Sequence, residues 1–199
     1  MVESPARGLL GRFLTRAPQT GVPDTVRHKV DGALKNKSTE QVCAELLHNE
    51  NTNVRWNAAF ALRRRRDPAA IEALWQALQN DPVSLVRQQC AVALGKIGTP
   101  AVLAPLIEAL WHDRDAGVRQ ACAIALGNLG YQIASKDLAD VLGRDLAAFV
   151  RWDCALSLGQ LGDHTVIGVL TELAQSDSSA VVRNACKEAL AMIKQQPTS

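Results

Sequence analysis

Four thiols recur every 32 residues, at Cys90, Cys122, Cys154 and Cys186, with Ala58 at the matching upstream place and Cys43 outside the register. Thiolates are nucleophiles and soft metal ligands, so a redox or zinc ladder is the first chemistry to test. Spacing argues against it. Helices stacked side by side lie about 8–10 Å apart, whereas a disulfide needs Cα atoms within about 7 Å and zinc needs sulfur at about 2.3 Å. No CxxC pair occurs, so neither a zinc knuckle nor a disulfide framework is suggested. Small buried side chains standing in for alanine account for the column, and unpaired thiols fit a reducing cytoplasm.

The other reactive side chains converge no better. His28, His48, His112 and His164 form no metal-ligand spacing. His48 and His112 share a column, but two units apart they are separated by about 20 Å. No GxSxG elbow, phosphate-binding loop or dinucleotide fingerprint is present. Four consecutive arginines, Arg63 to Arg66 in the stretch LRRRRD, are the one dense charge cluster. Neither catalytic residues nor a metal or cofactor is expected from these residues.

What positions them is a repeat without insertions or deletions. VRWNAAFAL starts at Val54, VRQQCAVAL at Val86, VRQACAIAL at Val118, VRWDCALSL at Val150 and VRNACKEAL at Val182, each 32 residues after the last. In one such stretch Val86, Cys90, Ala93, Leu94 and Ile97 share one face of a helix, and upstream Leu103, Leu106, Ala109 and Leu110 give a shorter segment its own apolar stripe. Each unit therefore reads as two helices. Asp67-Pro68, Thr99-Pro100 and Asp81-Pro82 carry the order of an N-cap before an N1 proline. Gly98, Gly130 and Gly162 suit the left-handed position beyond a helix C-terminus.

Composition agrees with a helical chain. It is 47% hydrophobic but only 4% aromatic, so its core must be aliphatic. The net charge of +2 conceals an asymmetry: residues 1–66 carry 12 basic and 6 acidic side chains, and residues 67–199 carry 10 and 14, so the first part favours an acidic partner. GLLGRFL is broken by Arg12 and too short for a secretory signal, and no stretch approaches a membrane span. Arg7, Arg12 and Arg16 resemble a transit peptide weakly, with Glu3 against it.

Helix pairs with an Asp, then Val-Arg, then AxALGxIG resemble HEAT repeats, in particular the short-repeat, phycobilisome bilin lyase-like branch of E/Z type; the resemblance covers about Thr39 to Lys194. It implies an all-α fold, a right-handed α-solenoid of about five helix pairs over residues 38–194. A flexible or loosely docked segment over 1–23, with room for a short amphipathic helix on Leu9, Leu10, Phe13 and Leu14, a helix over 24–37 and a tail over 195–199 complete the expected organisation. It also implies that Asn49, Asp81, Asp113, Asp145 and Asp177 form a structural ladder with Arg55, Arg87, Arg119, Arg151 and Arg183. Aligned on the repeat, Arg63 to Arg66 stand where the next unit has GKIG, so Arg65 replaces core Ile97 and Arg66 replaces Gly98. Either the first unit's second helix runs on to Pro68 or its last turn faces solvent, as a terminal cap, a basic contact surface or both. Lys187 and Glu188 make the last helix a polar closing helix.

The remaining face of the second helices is expected to line the concave surface and bind a partner. One row is Trp56, Gln88, Gln120, Trp152 and Asn184, a second is Phe60, Val92, Ile124, Leu156 and Glu188, and a third is Arg64, Lys96, Asn128, Gln160 and Met192, with Arg63 beside them. Four successive apolar residues in the second row read as a groove floor, or as a face covered by another segment of chain. The leading expectation is a monomeric, non-catalytic protein-binding adaptor or assembly factor using this concave face. The resemblance supplies the alternative, a bilin lyase subunit or tetrapyrrole-handling factor, in which Trp56, Trp152 and the apolar row stack on a flat ligand and Arg63 or Arg64 pairs with its propionates. Nucleic-acid binding stands third, because the acidic later repeats do not favour a long phosphate track.

Overall fold

The computed structural model describes residues 34–195, and these form ten helices. They are α1 (Thr39–His48), α2 (Thr52–Arg65), α3 (Ile71–Asn80), α4 (Ser84–Ile97), α5 (Leu103–His112), α6 (Ala116–Leu129), α7 (Ser135–Arg144), α8 (Ala148–Leu161), α9 (Ile167–Ser176) and α10 (Ala180–Lys194). Among the described residues there is no strand, and none of their helices is long and apolar enough to cross a membrane. The expected organisation of residues 1–33, including most of the helix over 24–37, lies outside the described residues; of that helix only its end, Leu34 and Lys35, is seen as helical.

The architecture is an α-solenoid. Each even-numbered helix packs on its own odd-numbered partner and closely on the even helices before and after it, while odd helices touch one another sparsely. The even helices therefore form the inner wall and the odd helices the outer one. A continuous aliphatic core runs between them, with Leu46, Leu62, Leu74, Leu78, Leu94, Leu106, Leu110, Leu126, Leu138, Leu142, Leu158 and Leu170 fully buried. Each such leucine contributes about 1.5–3 kcal/mol by leaving water.

Glycine sets how closely the inner helices approach. A Cβ at Gly95 would stand 2.7 Å from the Cβ of Ala125, one at Gly127 2.7 Å from the Cβ of Ser157, and one at Gly159 2.8 Å from the Cα of Ala189. These glycines recur at the 32-residue period and face small residues in the next repeat, so backbone meets backbone.

Two expectations about caps are corrected. Asp81 does not cap the following helix: it ends α3, its side chain accepts from the Val83 amide at 2.9 Å, and α4 begins at Ser84 after Val83. Asp113, Asp145 and Asp177 tie the same turn by accepting from Asp115, Ala147 and Ser179 at 2.8 Å each. Asp67 and Thr99 lead not into α-helices directly but into three-residue 3₁₀ turns, Pro68–Ala70 and Pro100–Val102, and only Asp67 makes a side-chain cap, to the Ala69 amide.

Gly98, Gly130 and Gly162 close α4, α6 and α8 with φ of 81°, 76° and 68°. Arg66 closes α2 in the same left-handed conformation at φ 54°, although it has a Cβ. The first unit's second helix thus stops at Arg65 instead of running on to Pro68.

Candidate binding surface

The ionic columns are used up in building the stack. Arg55 donates from Nε and Nη2 to Asp81 at 2.6 and 3.1 Å, Arg87 to Asp113 at 2.7 and 2.8 Å, Arg119 to Asp145 at 2.6 and 2.9 Å, and Arg151 to Asp177 at 2.8 and 2.8 Å. Each guanidinium also donates from Nη1 back to the carbonyl that ends its own repeat's first helix, as Arg87 does to Asp81. A planar fork bridging a carboxylate ahead and a carbonyl behind ties consecutive repeats together. Asn49 enters only through its carbonyl, accepting from Arg55, and Arg183 holds the Asp177 carbonyl at 2.7 Å with no carboxylate ahead of it among the described residues.

Cys90, Cys122, Cys154 and Cys186 are buried and free, and burial pushes each thiol up, Cys186 to about 11. Protonated thiols in an apolar core are poor nucleophiles and poor ligands. No group of three or more acidic, cysteine or histidine side chains is placed to hold a metal among the described residues.

The arginine run divides by position. Arg65, in the place of core Ile97, reaches back and donates from Nη2 to the Leu34 and Lys37 carbonyls at 3.0 and 2.7 Å. It caps the end of the segment before α1, so its substitution is structural. Arg63 lies over the Phe60 ring at 4.3 Å from its centre, and Phe60 stacks on Trp56 with ring centres 5.6 Å apart. Burial and the neighbouring Arg64 charge hold the Arg63 guanidinium below its usual range. Arg64 is exposed.

The apolar row is less open than its helical face implies. Phe60 and Val92 are half-buried, but Ile124 and Leu156 are only 6% and 7% exposed, and Trp56 only 9%. The groove floor read from the sequence is corrected accordingly: it is accessible in the first two repeats and closes in the next two. The cause is the glycine column, since helices drawn together at Gly95, Gly127 and Gly159 sink the intervening row between them.

A shallow cavity opens between α4 and α6, lined by Val92, Gly95, Lys96, Ala121, Ile124, Ala125 and Asn128. Lys96 and Asn128 are exposed on its rim, and Gln88, Gln120, Trp152 and Gln160 are half-buried around the wall. Gln88 is turned to the Gly117 carbonyl at 3.4 Å, and Gln120 donates to Asp153 at 2.6 Å. Of the thirteen residues expected to bind a partner, Arg64, Lys96 and Asn128 are exposed, Phe60, Arg63, Gln88, Val92, Gln120, Trp152 and Gln160 are half-buried, and Trp56, Ile124 and Leu156 are buried.

Two features escape the sequence reading. Asp153 is 1% exposed, accepts one bond, from Gln120, and has its Oδ1 buried without a partner, and burial pushes its carboxyl up to about 6. Its place in the column, shared with Asn57, Gln89, Ala121 and Ala185, gives only the weak signal of polarity in a helix-helix contact. Phe149 and Val181 are 47% and 61% exposed one helical turn ahead of Trp152 and Asn184. Extending the helical wheel by one turn toward the N-terminus would have placed them on the inner wall.

Three overlapping stretches, residues 39–127, 84–154 and 112–191, match the family described as HEAT repeats. The complex of CpcE and CpcF of phycocyanin lyase from Nostoc sp. PCC7120 is similar at 26% identity and TM-score 0.67, over 81% of this chain and 67% of that one. AlkD2 from Streptococcus mutans shares the fold at 17% identity and TM-score 0.50, over 92% of this chain and 96% of that one. No curated protein sequence gives a significant match.

Proposed function

The chain belongs to the HEAT-repeat family, and we propose that it works as a non-catalytic adaptor or assembly factor that binds another protein along its inner wall. The observation that carries this reading is the division of labour between charge columns. Four Arg–Asp pairs are consumed in the stack, while Phe60, Arg64, Val92, Lys96 and Trp152 keep accessible surface on the wall. A surface of large apolar side chains, long cations and amides suits protein recognition.

The test is site-specific photocross-linking in host extract, with the cross-linker at position 96 on the wall or at position 72 on the outer helix α3. The reading expects discrete adducts from position 96, lost when Phe60→Asp is added with helix content unchanged. Equal labelling from both positions would overturn it.

A second reading is favoured by one observation, the similarity to the phycocyanin lyase complex. Under it the wall handles a tetrapyrrole, with Trp152 as the stacking surface, since Trp56 is buried, and with Arg63 or Arg64 on the propionates. Coexpression with a bilin and a phycobiliprotein, followed by absorbance spectroscopy, decides it: retained pigment supports the second reading, and an unchanged spectrum eliminates it.

A further inference from the structure

The inner wall is not uniform along its length. In the third row the side chains run Arg64, Lys96, Asn128, Gln160 and Met192, so positive charge stops after the second repeat. Arg64 and Lys96 are exposed and make no ion pair among the described residues, and Arg63 adds a third cation on the Phe60 ring. Burial first, and the neighbouring Arg64 charge second, lower the proton affinity of Arg63, and no carboxylate pairs with either arginine among the described residues. At the other end Phe149, Val181 and, just outside the wall, Leu146 at 97% exposure present apolar surface beside half-buried Trp152. Glu188 stands exposed in the row where earlier repeats carry Phe60, Val92, Ile124 and Leu156.

We propose that this wall takes a segment of a partner protein that is acidic at one end and apolar at the other, its carboxylates over Arg63, Arg64 and Lys96 and its apolar side chains over Phe149, Trp152 and Val181. The inference rests on the adaptor reading and adds the chemistry and direction of the bound segment. Attraction acts at the first two repeats, whereas at the last exposed Glu188 stands beside exposed Lys187, so the orientation is set by the cations of the first two repeats. From α2 and α4 to α8 and α10 is three to four helix steps, roughly 30 Å. A segment of about 20 residues spans that if helical, and about ten do if extended.

The probe is a fluorescein-labelled synthetic peptide of about 20 residues, with glutamates in one half and leucines in the other, against a matched peptide with glutamine for glutamate. Anisotropy with the full chain should show saturable binding of the glutamate peptide that weakens as salt rises. The double variant Arg64→Glu/Lys96→Glu should weaken it about tenfold and leave the glutamine peptide unaffected. Val181→Ser should weaken both peptides alike. All three residues are exposed, and circular dichroism checks that the variants remain folded. Equal binding of the two peptides, indifference to the charge reversal, preferential retention of duplex DNA, or no saturable binding overturns the proposal. Cross-links from position 96 without peptide discrimination would leave the adaptor reading standing and remove only the directional one.

Discussion

Arg87→Ala should be among the most damaging single changes in the stack, because it orphans more than it deletes. Arg87 and Asp113 are both nearly sealed from water, with side chains 3% and 6% exposed. Removing the guanidinium takes away Nε and Nη2 donors at 2.7 and 2.8 Å and the Nη1 bond to the Asp81 carbonyl at 2.9 Å. Asp113 is left buried and charged, with the Asp115 amide as its remaining donor. Breaking a buried pair from one side costs about 3–5 kcal/mol, and for a chain of this size that lowers Tm by about 10 °C. Arg183→Ala is the internal control: Arg183 has the same fork and the same carbonyl contact but no carboxylate ahead among the described residues, so its loss should cost about 1 kcal/mol. The assay is thermal and urea unfolding of both variants, with Asp113→Ala and the double variant completing a cycle. The double variant should cost less than the sum of the singles, since no lone buried charge remains. If Arg87→Ala falls within 1 kcal/mol of Arg183→Ala, the ladder does not hold the repeats together and the reasoning fails.

Two further outcomes rest on single residues. Asp153→Asn should stabilise the fold at pH 7 by up to about 3 kcal/mol, because the folded carboxyl, raised to about 6 by burial, must ionise without a second partner. The sign follows from a raised folded value: the wild type binds the proton more tightly when folded, so its deficit against the variant shrinks as pH falls from about 6 to 4, and a gap independent of pH in urea titrations would refute this. Arg66→Gly should stabilise by about 1 kcal/mol, since Arg66 alone among the described non-glycine residues holds positive φ, at 54°; an unchanged or lower urea midpoint would count against strain there.

The register of the repeat was legible because it is written in side-chain type: valine, arginine, cysteine or alanine, and leucine recur at one interval, and each proves to occupy equivalent places in the fold. The ladder was legible only through the resemblance, as Asp81 and Arg55 lie 26 residues apart and no local rule pairs them. The apolar row shows where the wheel runs out. It placed Phe60, Val92, Ile124 and Leu156 on the inner side of their own helices, but burial depends on how near the next helix comes. That is decided by residues on the flank of the helix, not on its inner face.

The flank also explains why the wall is uneven. Gly95, Gly127 and Gly159 bring α4, α6, α8 and α10 into backbone contact, whereas the equivalent residue in α2 is Arg63, too long to be enclosed between helices. It turns instead onto the Phe60 ring, and the first repeat keeps half-buried Phe60 and exposed Arg64 near the surface while Trp56 is buried. Beyond it, tight packing buries Ile124 and Leu156, while Lys96, Asn128 and, a turn earlier along the helix, Phe149 and Val181 stay exposed. The arginine run is accordingly three different things in four residues: Arg63 and Arg64 make surface, Arg65 caps the preceding segment, and Arg66 holds a turn that glycine holds elsewhere.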